Sequence, residues 1–138
     1  MVIAAAMSVL LCRANESLDI LVVGDFGWTL NMTGPNRTFN AMNRFVSDLK
    51  LKGGKVDFIF SMGDNLYVEN ETDPTQQDVD TMMSLFTARE NLRDLNVWAI
   101  RGNHDCTNKD TYFEVNITKR YPTWRMPDLY YSRTFPID

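Results

Sequence analysis

The sequence predicts an α/β domain, β-α-β-α-β-α-β in order, with a largely parallel sheet, and three observations carry that expectation. Short apolar, β-rich runs recur at Ile20-Leu21-Val22-Val23, Val56-Asp57-Phe58-Ile59-Phe60 and Asn96-Val97-Trp98-Ala99-Ile100. Segments with apolar residues at helical three- and four-residue steps lie between them. Each run then opens into a glycine-containing loop: Gly24-Asp25-Phe26-Gly27, Gly63-Asp64-Asn65-Leu66-Tyr67 and Gly102-Asn103-His104-Asp105.

Taken in order, Ile20 to Val23 is a continuous apolar run of the kind a strand buried on both faces shows, and Gly24 ends it. Phe39, Met42, Val46 and Leu49 mark the apolar stripe of a helix closed by Gly53-Gly54. Val56 to Phe60 is the second strand. Asp73-Pro74-Thr75-Gln76 offers an N-cap, a first-turn proline and a third-position Gln, and Val79, Met82, Met83 and Phe86 supply the apolar face that follows. Asn96 to Ile100 is the third strand. Asp110 to Tyr121 is expected to be a helix, and Leu129 to Phe135 a fourth strand bounded by Pro127 and Pro136.

Length and composition bound the rest. A chain of 138 residues has room for one small domain, and 44% hydrophobic content with 12% aromatics supplies a core. No internal repeat, low-complexity stretch or linker divides it. The formal charge of -4 argues against nucleic acid or an anionic membrane as a partner.

The first residues read as a secretory signal, residues 1–14. Met1 to Leu11 is almost wholly apolar yet too short to span a bilayer, and Cys12-Arg13-Ala14 places small residues at the -3 and -1 positions of a cleavage site. No Lys or Arg precedes the run, and a buried first strand is the competing reading. Independent support comes from Asn-x-Ser/Thr triplets at Asn15, Asn31, Asn36, Asn70 and Asn116. Composition alone predicts about 1.6 such triplets, so their number favours a secreted, lysosomal or other lumenal glycoprotein. Loss of Cys12 with the signal would leave Cys106 as an odd thiol, free or paired with a cysteine of another chain.

The three loops carry the chemistry. In parallel α/β sheets ligands bind beyond the carboxyl ends of the strands, where all three loops lie. An Asp at one strand end can bind a first metal ion, and a second Asp on the neighbouring strand can bridge two. Asp25 and Asp64 suit those roles. Tyr67 adds a phenol three residues after Asp64; its ordinary pKa near 10 means that ionising it at acidic or neutral pH takes a hard, highly charged cation. Asn103 offers a neutral amide oxygen, and His104 can donate to a phosphoryl group or assist a leaving oxygen. Each loop alone also reads as a plain turn, with Tyr67 a half-buried aromatic and His104 a satisfied surface or core residue. Their occurrence together, in order and each after a strand, favours the chemical reading.

Gly24-Asp25-Phe26-Gly27-Trp28, Gly63-Asp64-Asn65-Leu66-Tyr67 and Gly102-Asn103-His104-Asp105 resemble the first three motifs of the purple acid phosphatases, most closely their small, tartrate-resistant type. The similarity runs from about Leu18 onward and includes Trp124 and the Pro127 to Phe135 segment. The resemblance implies an α/β/β/α sandwich of the metallophosphoesterase superfamily that hydrolyses phosphate monoesters at acidic pH. It also implies Asp25 and Tyr67 as ligands of Fe(III), Asp64 as the bridge, Asn103 on a divalent ion (Fe, Zn or Mn) and His104 against substrate. Other calcineurin-like phosphoesterases commonly carry Asp-x-His in the first motif, whereas Gly27 stands two residues after Asp25.

Departure from the pattern is equally specific. The family completes its centre with later histidines, one of them in a Gly-His-x-His motif, and His104 is the only histidine here. The expectation is therefore a domain at residues 15–138 that is truncated at its C-terminus, the amino-terminal half of a secreted acid phosphatase, inactive by itself. A short secreted glycoprotein that keeps half of the fold without catalysis is the alternative, and a different calcineurin-like phosphoesterase a further one.

Overall fold

The computed structural model of the chain describes residues 17–27, 31–67, 74–107 and 109–135. Four strands, β1 (Ile20–Val23), β2 (Phe58–Ser61), β3 (Val97–Ala99) and β4 (Trp124–Arg125), form one sheet in sequential order, every pair parallel. Helices α1 (Thr33–Leu51), α2 (Gln76–Thr87) and the short α3 (Phe113–Ile117) occupy the successive crossovers. The expected α/β architecture and three of its strands are thereby in place. The signal segment, Asn15 and Asn70 lie outside the described residues.

Alternation along the strands assigns the sheet's two faces. Leu21, Val23, Ile59, Val97, Ala99 and Trp124 are buried in one core with Phe39, Met42 and Val46 of α1 and Val79, Met82, Met83 and Phe86 of α2. Phe26, Phe39 and Phe86 meet edge to face, with centroids 4.8 to 5.7 Å apart. Such pairs contribute about 0.5–1.5 kcal/mol beyond area burial and fix the angle at which both helices approach. Arg89 then ties α1 to α2 from the rim: its guanidinium donates to the Asn36 and Asn40 side chains and to the Leu85 carbonyl.

Helix α1 ends as its sequence predicts. The Gly53 amide donates to the Lys50 carbonyl and the Gly54 amide to that of Leu49, both at 3.0 Å, while Gly53 takes a φ of 80°. This pair of bonds is the Schellman arrangement, and glycine supplies the left-handed residue it requires.

Three expected boundaries are corrected. The N-cap of α2 is Thr75, not Asp73, because Thr75 and Asp78 form a reciprocal capping box in which Thr75 N–H donates to Asp78 Oδ2 at 2.8 Å. Asp73 itself lies outside the described residues. The helix expected over Asp110 to Tyr121 shrinks to Phe113–Ile117. The Asp110 carboxylate accepts from the Tyr112 amide in a tight turn before it, and the Trp124 indole takes the Glu114 carbonyl that a further helical turn would use.

The fourth strand is Trp124–Arg125 rather than Leu129 to Phe135. Trp124 is fully buried and pairs with Val97, whereas the later segment crosses the other face of the sheet without a ladder. Phe135 stacks on Phe58 at 4.2 Å and meets Phe60 and Trp98 edge to face. Tyr131 Oη donates to the Ala99 carbonyl at 2.7 Å. The segment expected as a strand from Leu129 to Phe135 thus serves aromatic packing instead of strand pairing.

If the aromatic triad sets the helix layer, Phe39→Ala lowers stability by about 3–5 kcal/mol, seen as a lower urea midpoint at constant m. Leu51→Ala, at a position 85% exposed, stays within about 0.5 kcal/mol of the parent.

Candidate functional site

Parallel pairing of β1, β2 and β3 brings their carboxyl ends side by side, and with them the three loops. The Asp25 amide donates to the Gly63 carbonyl and the Tyr67 amide to that of Gly27, so the first two loops are laced through their backbones. Asp25 and Asp64 both take left-handed backbone conformations, with φ of 55° and 53°. Such a conformation is uncommon outside glycine, and here both carboxylates turn toward one point.

That point is the Tyr67 hydroxyl. It lies 2.9 Å from Asp25 Oδ1 and 3.0 Å from Asp64 Oδ2. Partial burial, hydrogen bonding to both carboxylates and their negative charge, in that order, hold the phenol far above its ordinary value. One hydroxyl proton therefore sits among three oxygens, two of them on carboxylates. The Tyr67 ring leans on that of His104, centroids 4.5 Å apart at 45°. The His104 amide donates to Asp64 Oδ1 at 3.0 Å, while the His104 and Asn103 side chains are exposed in their turn.

Sequence reasoning named these five residues but not the group that aligns their loops. Asp105, fully buried, is that group. Its Oδ1 accepts from the amides of Asn65 and Leu66 at 2.9 and 3.1 Å, and its Oδ2 from the amide of Gly102 at 2.8 Å. Asn65, also fully buried, donates its side-chain amide to the Ile100 carbonyl at 2.8 Å and to Glu114 Oε2 at 2.9 Å. A Cβ at Gly102 would fall on Asp64, so glycine there lets the third loop close against the second. The signal for Glu114 is its place three residues before Ile117, on the buried side of α3.

The donor set at Tyr67 fits a hard cation: two carboxylate oxygens and a phenol oxygen converge, and oxygen donors suit such ions. A second ion would draw on Asp64 and Asn103, which are too few oxygens to hold it against water. Among the described residues no group of three or more His, Cys, Asp or Glu side chains is arranged to hold a metal ion. No described helix is long and apolar enough to cross a membrane.

Residues 18–137 match the family model described as calcineurin-like phosphoesterase. The match takes in all three loops and every residue of the Tyr67 cluster. No curated protein matches the chain.

Asp25 is exposed, and Tyr67 Oη is its hydrogen-bond donor, so its left-handed backbone is the larger of its energetic consequences. Asp25→Gly is expected to be as stable as the parent or up to about 1 kcal/mol more stable. Asp25→Ala, which keeps a Cβ without a side chain suited to that conformation, falls about 1 kcal/mol below the glycine variant in urea unfolding.

Proposed function

The chain belongs to the calcineurin-like phosphoesterase family, and from that premise we propose that it is built for hydrolysis of phosphate monoesters of the purple acid phosphatase type. The observation that carries the finer reading is the Tyr67 hydroxyl within 3.0 Å of both Asp25 and Asp64. A phenol at this place suits Fe(III), because only a strongly charged hard cation offsets the rise that the two carboxylates impose on it. Asp25, Asp64 and Tyr67 would hold that ion, and Asp64 with Asn103 would face a divalent partner, Fe, Zn or Mn. Bound there, the ions would supply Lewis acidity and a water made acidic enough to attack phosphorus.

The chain's own residues have separate tasks in this reading. Asp64 and Asp25 fix the charge at the strand ends, and Asp105 keeps the loops in register beneath them. His104, exposed beside the Tyr67 ring, is placed to donate to a phosphoryl oxygen or to the departing alkoxide. One histidine is fewer than a two-metal centre of this type uses. Turnover therefore belongs to a form or assembly that supplies the remaining ligands, and the 138-residue chain reads as a ferric half-site. The apolar first residues and the five glycosylation triplets support a lumenal or secreted setting.

A second reading, a non-catalytic glycoprotein that keeps half of the fold, draws on the lack of a multi-residue metal group among the described residues. Loading with Fe(III) separates the two. The ferric reading expects a visible tyrosinate-to-iron band that disappears in Tyr67→Phe and survives in His104→Ala. It also expects little hydrolysis of p-nitrophenyl phosphate by this chain at pH 5. In a form that supplies the missing histidines, His104→Ala lowers kcat by about a hundredfold or more. A parent chain that takes up iron without the band would remove the ferric assignment, and one that turns over rapidly would remove the half-site.

A further inference from the structure

Behind the loops lies a carboxyl group that the proposed chemistry does not use. Glu114 on α3 is 2% exposed. Its Oε2 accepts from the Asn65 side-chain amide at 2.9 Å, and its Oε1 receives no hydrogen bond. The same Asn65 nitrogen also donates to Asp105 Oδ2 at 3.2 Å, so two buried carboxyl groups gather on one donor. Two carboxylates so placed repel each other, and a proton on one of them relieves the pair.

The surroundings decide which. Asp105 accepts from the amides of Asn65, Leu66 and Gly102 and from the Asn65 side chain. That ring of donors stabilises an anion. Glu114 has a single donor for two oxygens, in a site closed to water. The Asn65 side-chain nitrogen has two protons yet faces three acceptors: the Ile100 carbonyl, Asp105 Oδ2 and Glu114 Oε2. The cluster is thus one proton short unless Glu114 supplies it.

We propose that Glu114 is a positioning residue that works as a neutral acid: its Oε1 hydroxyl donates to Asp105 while its Oε2 accepts from Asn65. This one proton joins α3 to the Asp105 and Asn65 pair and so holds loop 102–105 against loop 63–67. The Trp124 indole, donating to the Glu114 carbonyl at 3.1 Å, fixes the same residue from β4. The charged groups acting on Glu114 are Asp105, which opposes its ionisation, and Arg101, which favours it. Asn65 and Trp124 are its neutral neighbours. Burial first, then Asp105, push the Glu114 carboxyl up to about 9.

The sign of the consequence follows. A carboxyl raised in the folded state gives its full stabilisation below the unfolded value near 4.5 and loses it as pH climbs through about 9. Over that window the unfolding constant rises by up to about tenfold per pH unit relative to Glu114→Gln, whose carboxamide keeps one donor and one acceptor without a charge.

Carbon-detected NMR of the full chain with labelled Glu side chains, Glu114 assigned by its absence in Glu114→Gln, reads the proton directly. The expected result is a neutral Glu114 carboxyl at pH 7, where exposed glutamates are ionised. Glu114→Gln should keep the parent amide resonances of Asn65, Leu66 and Gly102 and flatten the pH dependence of urea unfolding. Glu114→Leu, of similar bulk but without either hydrogen bond, should displace those resonances while Trp124 stays buried by fluorescence. A Glu114 carbon ionised at pH 7, or a Glu114→Gln profile that follows the parent, would overturn the assignment; should the leucine variant not fold, these two measurements still decide. The link to catalysis rests on the phosphoesterase reading, which the iron band judges separately: a neutral Glu114 in a chain without that band removes the catalytic link alone.

Discussion

Everything at the carboxyl end of this sheet depends on one buried anion with enough donors. Asp105 is sealed from water, and an unpaired carboxylate there would cost several kcal/mol. It is stable because the amides of Asn65, Leu66 and Gly102 already point at it. The dependence runs both ways, since those amides belong to loops with no ladder partner and would otherwise be buried donors without acceptors. A charge-assisted bond contributes about 1.5–3 kcal/mol, enough for a few of them to decide the register of two short loops. The strands bring the loops near; the anion aligns them.

That alignment explains how the chain tolerates two aspartates in left-handed backbone. A non-glycine residue in this conformation costs on the order of 1 kcal/mol and persists where its surroundings over-determine it. Asp64 lies between Gly63, itself at a φ of 94°, and Asn65, whose amide is fixed by Asp105. The residue therefore has little freedom to relax. Its Oδ1 also accepts from the His104 amide, which ties the strained residue to the third loop. Strain is held where the candidate ligands are, and the aromatic and aliphatic packing under α1 and α2 offsets it.

Much of this was legible in the sequence, for reasons that also mark the limit. Ile20 to Val23, Phe58 to Phe60 and Val97 to Ala99 are visible as continuous apolar runs, although their burial alternates between a helix-covered face and a half-buried one. The burial on both faces expected for the first strand is therefore not what the fold shows. Gly53-Gly54 is visible because a Schellman end needs a left-handed residue. Strand β4 was missed because it is two residues long and is defined by a distant partner, Val97, while the longer proline-bounded segment after Pro127 serves stacking on Phe58. Asp25, Asp64 and Tyr67 were named from loop position, and the structure brings their oxygens together. Glu114 carried only a faint mark, its spacing from Ile117, because a short helix with a charged residue on its buried side looks locally like a surface helix until Asn65 is packed against it.

The electrostatics of the Tyr67 cluster then point one way. Its hydroxyl has one proton to offer and faces two carboxylate acceptors, so one of the two hydrogen bonds is always incomplete. The Asp105 brace beneath prevents the second loop from drawing away to ease this, and the backbone bonds from Asp25 to Gly63 and from Tyr67 to Gly27 prevent the first. Held together by the fold, the three oxygens keep an excess of negative charge that a single proton cannot balance. A multivalent cation compensates such a site better than any rearrangement of the protein can, because it satisfies both carboxylates and the phenol at once without moving a loop. In the proposed ferric reading, the fit of the cluster to an ion would therefore be set by the buried residues beneath it as much as by the three side chains that would touch the ion.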